Sequence, residues 1–246
     1  MMTKNCEELY LKTSDGVKLA VNHFKTGQQQ VIIIANGWTM SKDSIFVKEM
    51  SNSLAKSFDV ISFDFRGHGK SSGVYTFTGK ESEDLKSVVN YAKKLYKKVY
   101  LIGFSLGGAI SILYTAIERG IDRLIVVSAP HSFGKIKHFM WVKDFLENPF
   151  KKYEFRVCRT LRPSPIVQKK IKPIDVVDRI CVPTLFIAGD LDTIIHSDDT
   201  ESLFHKATCE KKFELFQNCN HGEDLIYQEK EKLVNTCVKW FCEEKN

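Results

Sequence analysis

The chain has 246 residues, 43% of them hydrophobic, and a net charge of +6, which suits one large domain with a buried core, spanning 1–246; no repeat or low-complexity tract argues for more. Seven cysteines, at positions 6, 158, 181, 209, 219, 237 and 242, form no CxxC pair, which excludes a zinc knuckle or a disulfide framework and fits reduced thiols in a cytoplasm. Residues 1–10 carry Lys4, Glu7 and Glu8 rather than the apolar core of a secretory signal, and no run of about 18 apolar residues is present, so a cytoplasmic chain with no transmembrane segment is expected.

From the N-terminus, residues 9–13 and 18–24 flank Ser14-Asp15-Gly16, where Asp-Gly predicts a tight hairpin and hence an antiparallel edge. Near-continuous apolar runs follow at 31–35, 60–65, 99–104, 124–128 and 184–188, with a last strand at 213–216. Runs of this kind are strands covered on both faces. They alternate with helical segments near 42–56, 80–95, 107–119, 197–207 and 223–241. The expected fold is therefore α/β: a mostly parallel sheet with helices on both faces and an antiparallel N-terminal hairpin.

The interval 131–175 breaks the rhythm with Pro149, Pro163, Pro165 and Pro173 and two aromatic-rich patches. Too long for an ordinary connection, it reads as a small cap insertion. Phe139, Val142 and Leu146 share one helical face, with Met140 and Phe145 beside it, which would either cover an apolar pocket or seal the insertion onto the core. Between 131 and 172 there are 11 Lys or Arg against 3 Asp or Glu, a local +8 that leaves −2 for the remainder. Two readings stand: a solvated surface, or attraction of an anionic substrate or an acidic carrier protein. Nucleic acid is not an expected partner, because the basic residues sit in one aromatic-rich insertion and no nucleic-acid module is present.

Residues 99–108 carry the chemistry: Val-Tyr-Leu-Ile-Gly-Phe-Ser-Leu-Gly-Gly. A serine on the sharp bend between strand and helix has a strained backbone, so its neighbours must carry almost no side chain, and Gly103 and Gly107 meet that demand. A bare GxSxG is weak evidence. Here an apolar strand precedes it, and Ile110, Leu113 and Ile117 follow at helical spacing.

Three further motifs follow predicted strands: Asn36-Gly37-Trp38, the run from Asp64 through Arg66-Gly67-His68-Gly69 to Ser71, and Gly189-Asp190-Leu191-Asp192. With the elbow and the element order, the chain resembles the α/β-hydrolase family over nearly its full length, most closely its small esterase, monoacylglycerol-lipase and serine-aminopeptidase-like branch. The resemblance implies a triad in the chain order serine, acid, histidine. Ser105 is then the nucleophile. Of the histidines beyond residue 188, His196 and His205 fall at or within a predicted helix, whereas His221 lies in a polar loop after the last strand and is the base. For the acid, Asp198 and Asp199 read as helix-start residues. Asp192 matches the family's GxxD position, and Asp190 remains as a turn residue binding its own backbone.

The resemblance also implies an oxyanion hole built from the backbone N–H groups of Leu106 and Trp38. Here the chain departs from the family, which has histidine where Asn36 stands; asparagine still hydrogen-bonds, with shorter reach. The Trp38 side chain would wall the acyl pocket or pack against the cap. His68 organises its loop rather than moving protons, and Cys219, with no elbow around it, is a plain loop thiol. The implied activity is a serine hydrolase of the carboxylesterase kind acting on small-molecule esters, with neither metal nor organic cofactor. An acyl thioesterase working on CoA or carrier-protein thioesters is the alternative, and a non-catalytic binding protein on the same scaffold is a third.

Overall fold

In the computed structural model, which describes residues 6–133, 161–164 and 170–243, every apolar run of the sequence is a strand of one eight-stranded sheet. The strands are β1 (Cys6–Lys12), β2 (Lys18–Phe24), β3 (Gln30–Ala35), β4 (Asp59–Phe63), β5 (Lys98–Phe104), β6 (Arg123–Val127), β7 (Thr184–Gly189) and β8 (Lys211–Phe216). Their order is β1-β2-β4-β3-β5-β6-β7-β8. β1 pairs antiparallel with β2, and β2 with β4; every other pair is parallel. This is the α/β architecture expected from the sequence.

The runs are continuous because both faces are covered. Successive strand residues point to opposite sides, so Val31, Ile33 and Ala35 join one core layer while Ile32 and Ile34 join the other. Helices α2 (Glu81–Lys93), α3 (Leu106–Ile117) and α4 (Ser197–Lys206) close the first layer; α1 (Ile45–Leu54), α5 (Leu225–Gln228) and α6 (Lys230–Cys242) close the second. Each fully buried Ile, Leu or Phe contributes about 1.5–3 kcal/mol.

Three local expectations are corrected. Lys12 pairs with Lys18, so the hairpin turns over residues 13–17 rather than on Asp-Gly alone; Gly16 (φ +88°) lies within that turn. β4 ends at Phe63, not 65, because Asp64 turns its carboxylate to the amides of Lys42 (2.7 Å) and Lys70 (2.8 Å). The single helix expected over 223–241 is divided into a 3-10 turn Gly222–Asp224, α5 and α6, with Glu229 (φ −140°, ψ 49°) leaving the helical region between the last two. Ile226, Leu233, Cys237 and Trp240 keep helical spacing across the break and are all buried, so the apolar period carries no sign of it.

Of the segment 131–175, residues 131–133, 161–164 and 170–175 are described. Residues 161–164 lie along the loop after β4: Tyr75 donates its N–H to Arg162 O (2.7 Å), Arg162 to Gly67 O (2.8 Å) and Ser164 to Tyr75 O (2.7 Å). The two ends of the segment meet, Ile174 donating to His131 O (3.1 Å). The apolar face of Phe139, Met140, Val142, Phe145 and Leu146 lies outside the described residues, as does most of the basic excess. Among the described residues the cysteines are free thiols, and no helix is long and apolar enough to cross a membrane.

Candidate active site

From β3 the chain crosses to β4 on one side and later returns to β5 on the other. The carboxyl ends of β3 and β5 therefore open into a crevice at the point where strand order reverses. Ser105 stands there, directly after β5 and before the first turn of α3, with φ 52° and ψ −120°. A non-glycine residue in this region stores about 1–3 kcal/mol of strain. Ser105 N–H to Val127 O (2.8 Å) and Ala109 N–H to Ser105 O (3.1 Å) hold the bend. A Cβ on Gly103 would stand 2.5 Å from Ser111 Oγ and 2.7 Å from Gly107 O, and one on Gly107 would run into the carbonyls of Ala35 and Asn36. Both glycines flanking the serine are thus required for space, as the sequence pattern demands.

Leu106 opens α3, so its amide is one of the helix's N–H groups without an intrahelical acceptor. On the facing loop Asn36 Nδ2 donates to Met40 O (2.9 Å) and braces the turn through Gly37, the task expected of it in place of histidine. Trp38 is half-buried, with its ring tilted against Phe77 at 5.7 Å between centroids. Its N–H belongs to the same braced turn.

The two side chains expected from the sequence as acid and base meet. Asp192 Oδ1 accepts the N–H groups of Ile194 and Ile195, each at 2.9 Å, and Oδ2 lies 2.7 Å from His221 Nδ1. A carboxylate only accepts, so Nδ1 is the donor. Asp190 lies one turn away and instead accepts the Cys219 N–H (3.1 Å). That bond, with Leu191 N–H to Cys219 O (2.9 Å), fastens the β7 loop to the loop carrying His221. A Cβ on Gly189 would collide with the carbonyls of Cys219 and Asn220. The two loops therefore pack backbone to backbone, and the short gap brings imidazole to carboxylate.

The remaining sequence candidates fall elsewhere. His196 precedes α4 and His205 lies exposed in its last turn. Asp199 faces His131, whose Nε2 lies 3.2 Å from Ser132 Oγ, but that serine stands five residues past the end of β6 rather than directly after a strand. His68 is buried, meets the Arg66 carbonyl through Nδ1 (3.1 Å) and stands edge-on to Tyr75. Burial pulls it down to about 4, so it is a neutral loop organiser at physiological pH. Cys219 is buried, and burial raises its thiol further from reactivity.

One acidic residue was not singled out by the sequence. Glu223, in the 3-10 turn after His221, lies with Oε2 3.1 Å from His221 Nε2, on the ring edge away from Asp192. The two charges face each other, yet Oε2 does not meet hydrogen-bond geometry with any group. Burial would push His221 down, but the charges of Asp192 and Glu223, the Asp192 hydrogen bond and the charge of Asp224 outweigh it and raise the imidazole to about 9. Burial likewise opposes the charge on Asp192, and His221 with the two amides overcomes it, holding that carboxyl below its usual range. For Glu223 burial wins over the attraction of His221, and its carboxyl is raised. The signal available in the sequence was Gly37, whose missing side chain leaves the room that Glu223 Oε1 fills.

Residues 30–149 match the sequence pattern of the alpha/beta hydrolase fold family. An AB hydrolase superfamily protein of Bacillus subtilis is 27% identical over 271 residues, covering 94% of this chain and 98% of the relative. Among solved structures, an esterase of Pyrococcus furiosus superposes with a TM-score of 0.78 at 24% identity, over 96% of this chain and 92% of that one. An esterase from Exiguobacterium antarcticum superposes with a TM-score of 0.76 at 20% identity, over 96% of this chain and all of that one.

Proposed function

We propose that this chain, which has the α/β-hydrolase fold, is a serine hydrolase cleaving small-molecule carboxylic esters through an acyl-enzyme. The observation that carries the reading is the 2.7 Å pair of Asp192 and His221 beside a serine held at φ 52° between two sterically required glycines. A serine hydroxyl is a poor nucleophile unless an imidazole takes its proton.

Ser105 Oγ attacks the ester carbonyl carbon while His221 Nε2 accepts the hydroxyl proton. Asp192 holds the Nδ1–H and balances the imidazolium as it forms. The carbonyl oxygen, now an anion, receives the N–H groups of Leu106 and Trp38; one such donor is worth about 10²–10³ in kcat. The intermediate collapses as His221 returns the proton to the leaving alcohol. Water then enters, His221 takes its proton in turn, and the acid leaves with Ser105 restored.

The esterases among the structural neighbours support an ester over a thioester. The basic stretch that would favour an acyl-CoA or carrier-protein thioester lies mostly at 134–160, outside the described residues. Competent residues at all three triad positions count against a purely binding role. The free thiols suit a reducing cytoplasm.

The test is a panel of acyl esters of graded chain length, assayed with the native chain and with Ser105→Ala, alongside labelling by a fluorophosphonate. Turnover is expected to fall by about 10⁴-fold or more in the variant, with labelling abolished. Undiminished turnover in S105A removes the nucleophile and with it this reading.

A further inference from the structure

The proposed reaction uses both ring nitrogens of His221: Nδ1 for Asp192 and Nε2 for Ser105. Nε2, however, already has a neighbour in the Glu223 carboxylate at 3.1 Å. Among the described residues no hydrogen bond joins the imidazole to Ser105 Oγ. Glu223 is only 8% exposed. Its other oxygen, Oε1, lies against Gly37, where any Cβ would run into it, and that same Cβ would stand 3.2 Å from Ser105 Cβ. The carboxylate thus occupies the space shared by the imidazole, the nucleophile and the turn that carries Trp38. A substrate's acyl carbonyl has to enter that same space. Gly37 has no positive φ, so its missing side chain provides room, and the group using that room is Glu223.

We propose that Glu223 is a positioning residue of the active site, whose carboxylate holds His221 Nε2 in an ion pair away from Ser105 until that pair is broken and the acyl group takes its place. The proposal rests on the ester-hydrolase reading for its catalytic meaning, but the ion pair exists or fails independently of it.

Its consequences follow from charge. The largest charges acting on His221 are those of Asp192, Glu223 and Asp224, all acidic; the largest acting on Glu223 are those of His221, Asp224 and Asp192. With acids on both ring edges the imidazole keeps its second proton, and an imidazolium cannot take another from serine. When that proton passes to solvent, Glu223 is left as a buried carboxylate without a counter-charge. Such a group is costly to keep inside. It yields to the incoming ester, and Nε2 turns to Ser105.

The direct test is an NMR titration of the His221 imidazole in the native chain, Glu223→Gln, Glu223→Asp and Asp224→Asn, each checked for a native melting transition. An opposite charge at this range moves a titration by roughly 1–3 units. E223Q is expected to titrate at least one unit lower than the native chain. E223D, which keeps the charge but draws it back by one methylene, should fall between them, and D224N should move less than E223Q. The acid limb of kcat/KM on a neutral ester follows the same order, so E223Q gains about tenfold at pH 7. An unmoved imidazole in E223Q, or an equal shift in D224N, overturns the role given to Glu223. Absence of ester turnover in the native chain would instead sink the hydrolase reading and leave the titration to decide the ion pair.

Discussion

Ser105 offers a way to weigh the strain in the elbow. Its φ of 52° and ψ of −120° are tolerated by glycine and costly for any residue with a Cβ, by about 1–3 kcal/mol. Ser105→Ala removes the hydroxyl and keeps the Cβ, whereas Ser105→Gly removes both, so the difference between them isolates the strain. Helix capping does not confuse the comparison, because the Ser105 side chain makes no capping hydrogen bond to α3. Against the relief stands the extra freedom that glycine gives the unfolded chain, about 0.5–1 kcal/mol. The balance favours S105G by roughly 1 kcal/mol. For a domain of this size each kcal/mol corresponds to about 2–4 °C in Tm. S105G is therefore expected to melt about 2–4 °C above S105A by circular dichroism, with both inactive toward esters. An S105G that melts at or below S105A would mean that the bend is not strained through its Cβ.

Asp192→Asn should lower kcat by about 10⁴-fold, because the imidazole loses the partner that fixes its tautomer. Asp190→Asn, which touches only the Cys219 amide, should cost less than tenfold; the reverse order on the same ester would move the acid. The buried Arg66 rests on Asp84, which accepts from Nε at 2.9 Å and Nη2 at 2.7 Å, and on Asp15 at the surface. Asp84→Ala leaves that guanidinium half-paired inside the protein, with an expected loss of about 3 kcal/mol in urea unfolding. A change under about 1 kcal/mol would show that Asp15 alone suffices.

The parts of this molecule that could be read from the sequence are those where one local demand dominates. Burial on both faces makes β3, β5 and β7 unbroken apolar runs, and the crowding at Ser105 admits only glycine at 103 and 107. The separation of Asp192 from Asp190 came from a family pattern rather than from the residues; the physical difference is that Asp190 is engaged with the His221 loop, visible once the loops are packed. The break at Glu229 leaves no trace because apolar spacing runs straight through it. Glu223 escaped for a different reason: an acid after His-Gly reads as an ordinary helix-start residue, and its proximity to Ser105 depends on the empty side of Gly37, some 186 positions earlier in the chain.

The two ends of the 131–175 segment are tied directly to each other by Ile174 N–H on His131 O, and Arg162 within it is held by Tyr75 and Gly67. In general, lengthening a loop whose ends are already fixed is inexpensive, since doubling it adds only about 0.6 kcal/mol of closure entropy. Set beside the 5–15 kcal/mol that holds a typical domain together, that is a small tax. The stretch between residues 131 and 174 is therefore where added chain should be tolerated best, because neither the sheet nor the Asp192–His221 pair has to move to make room for it.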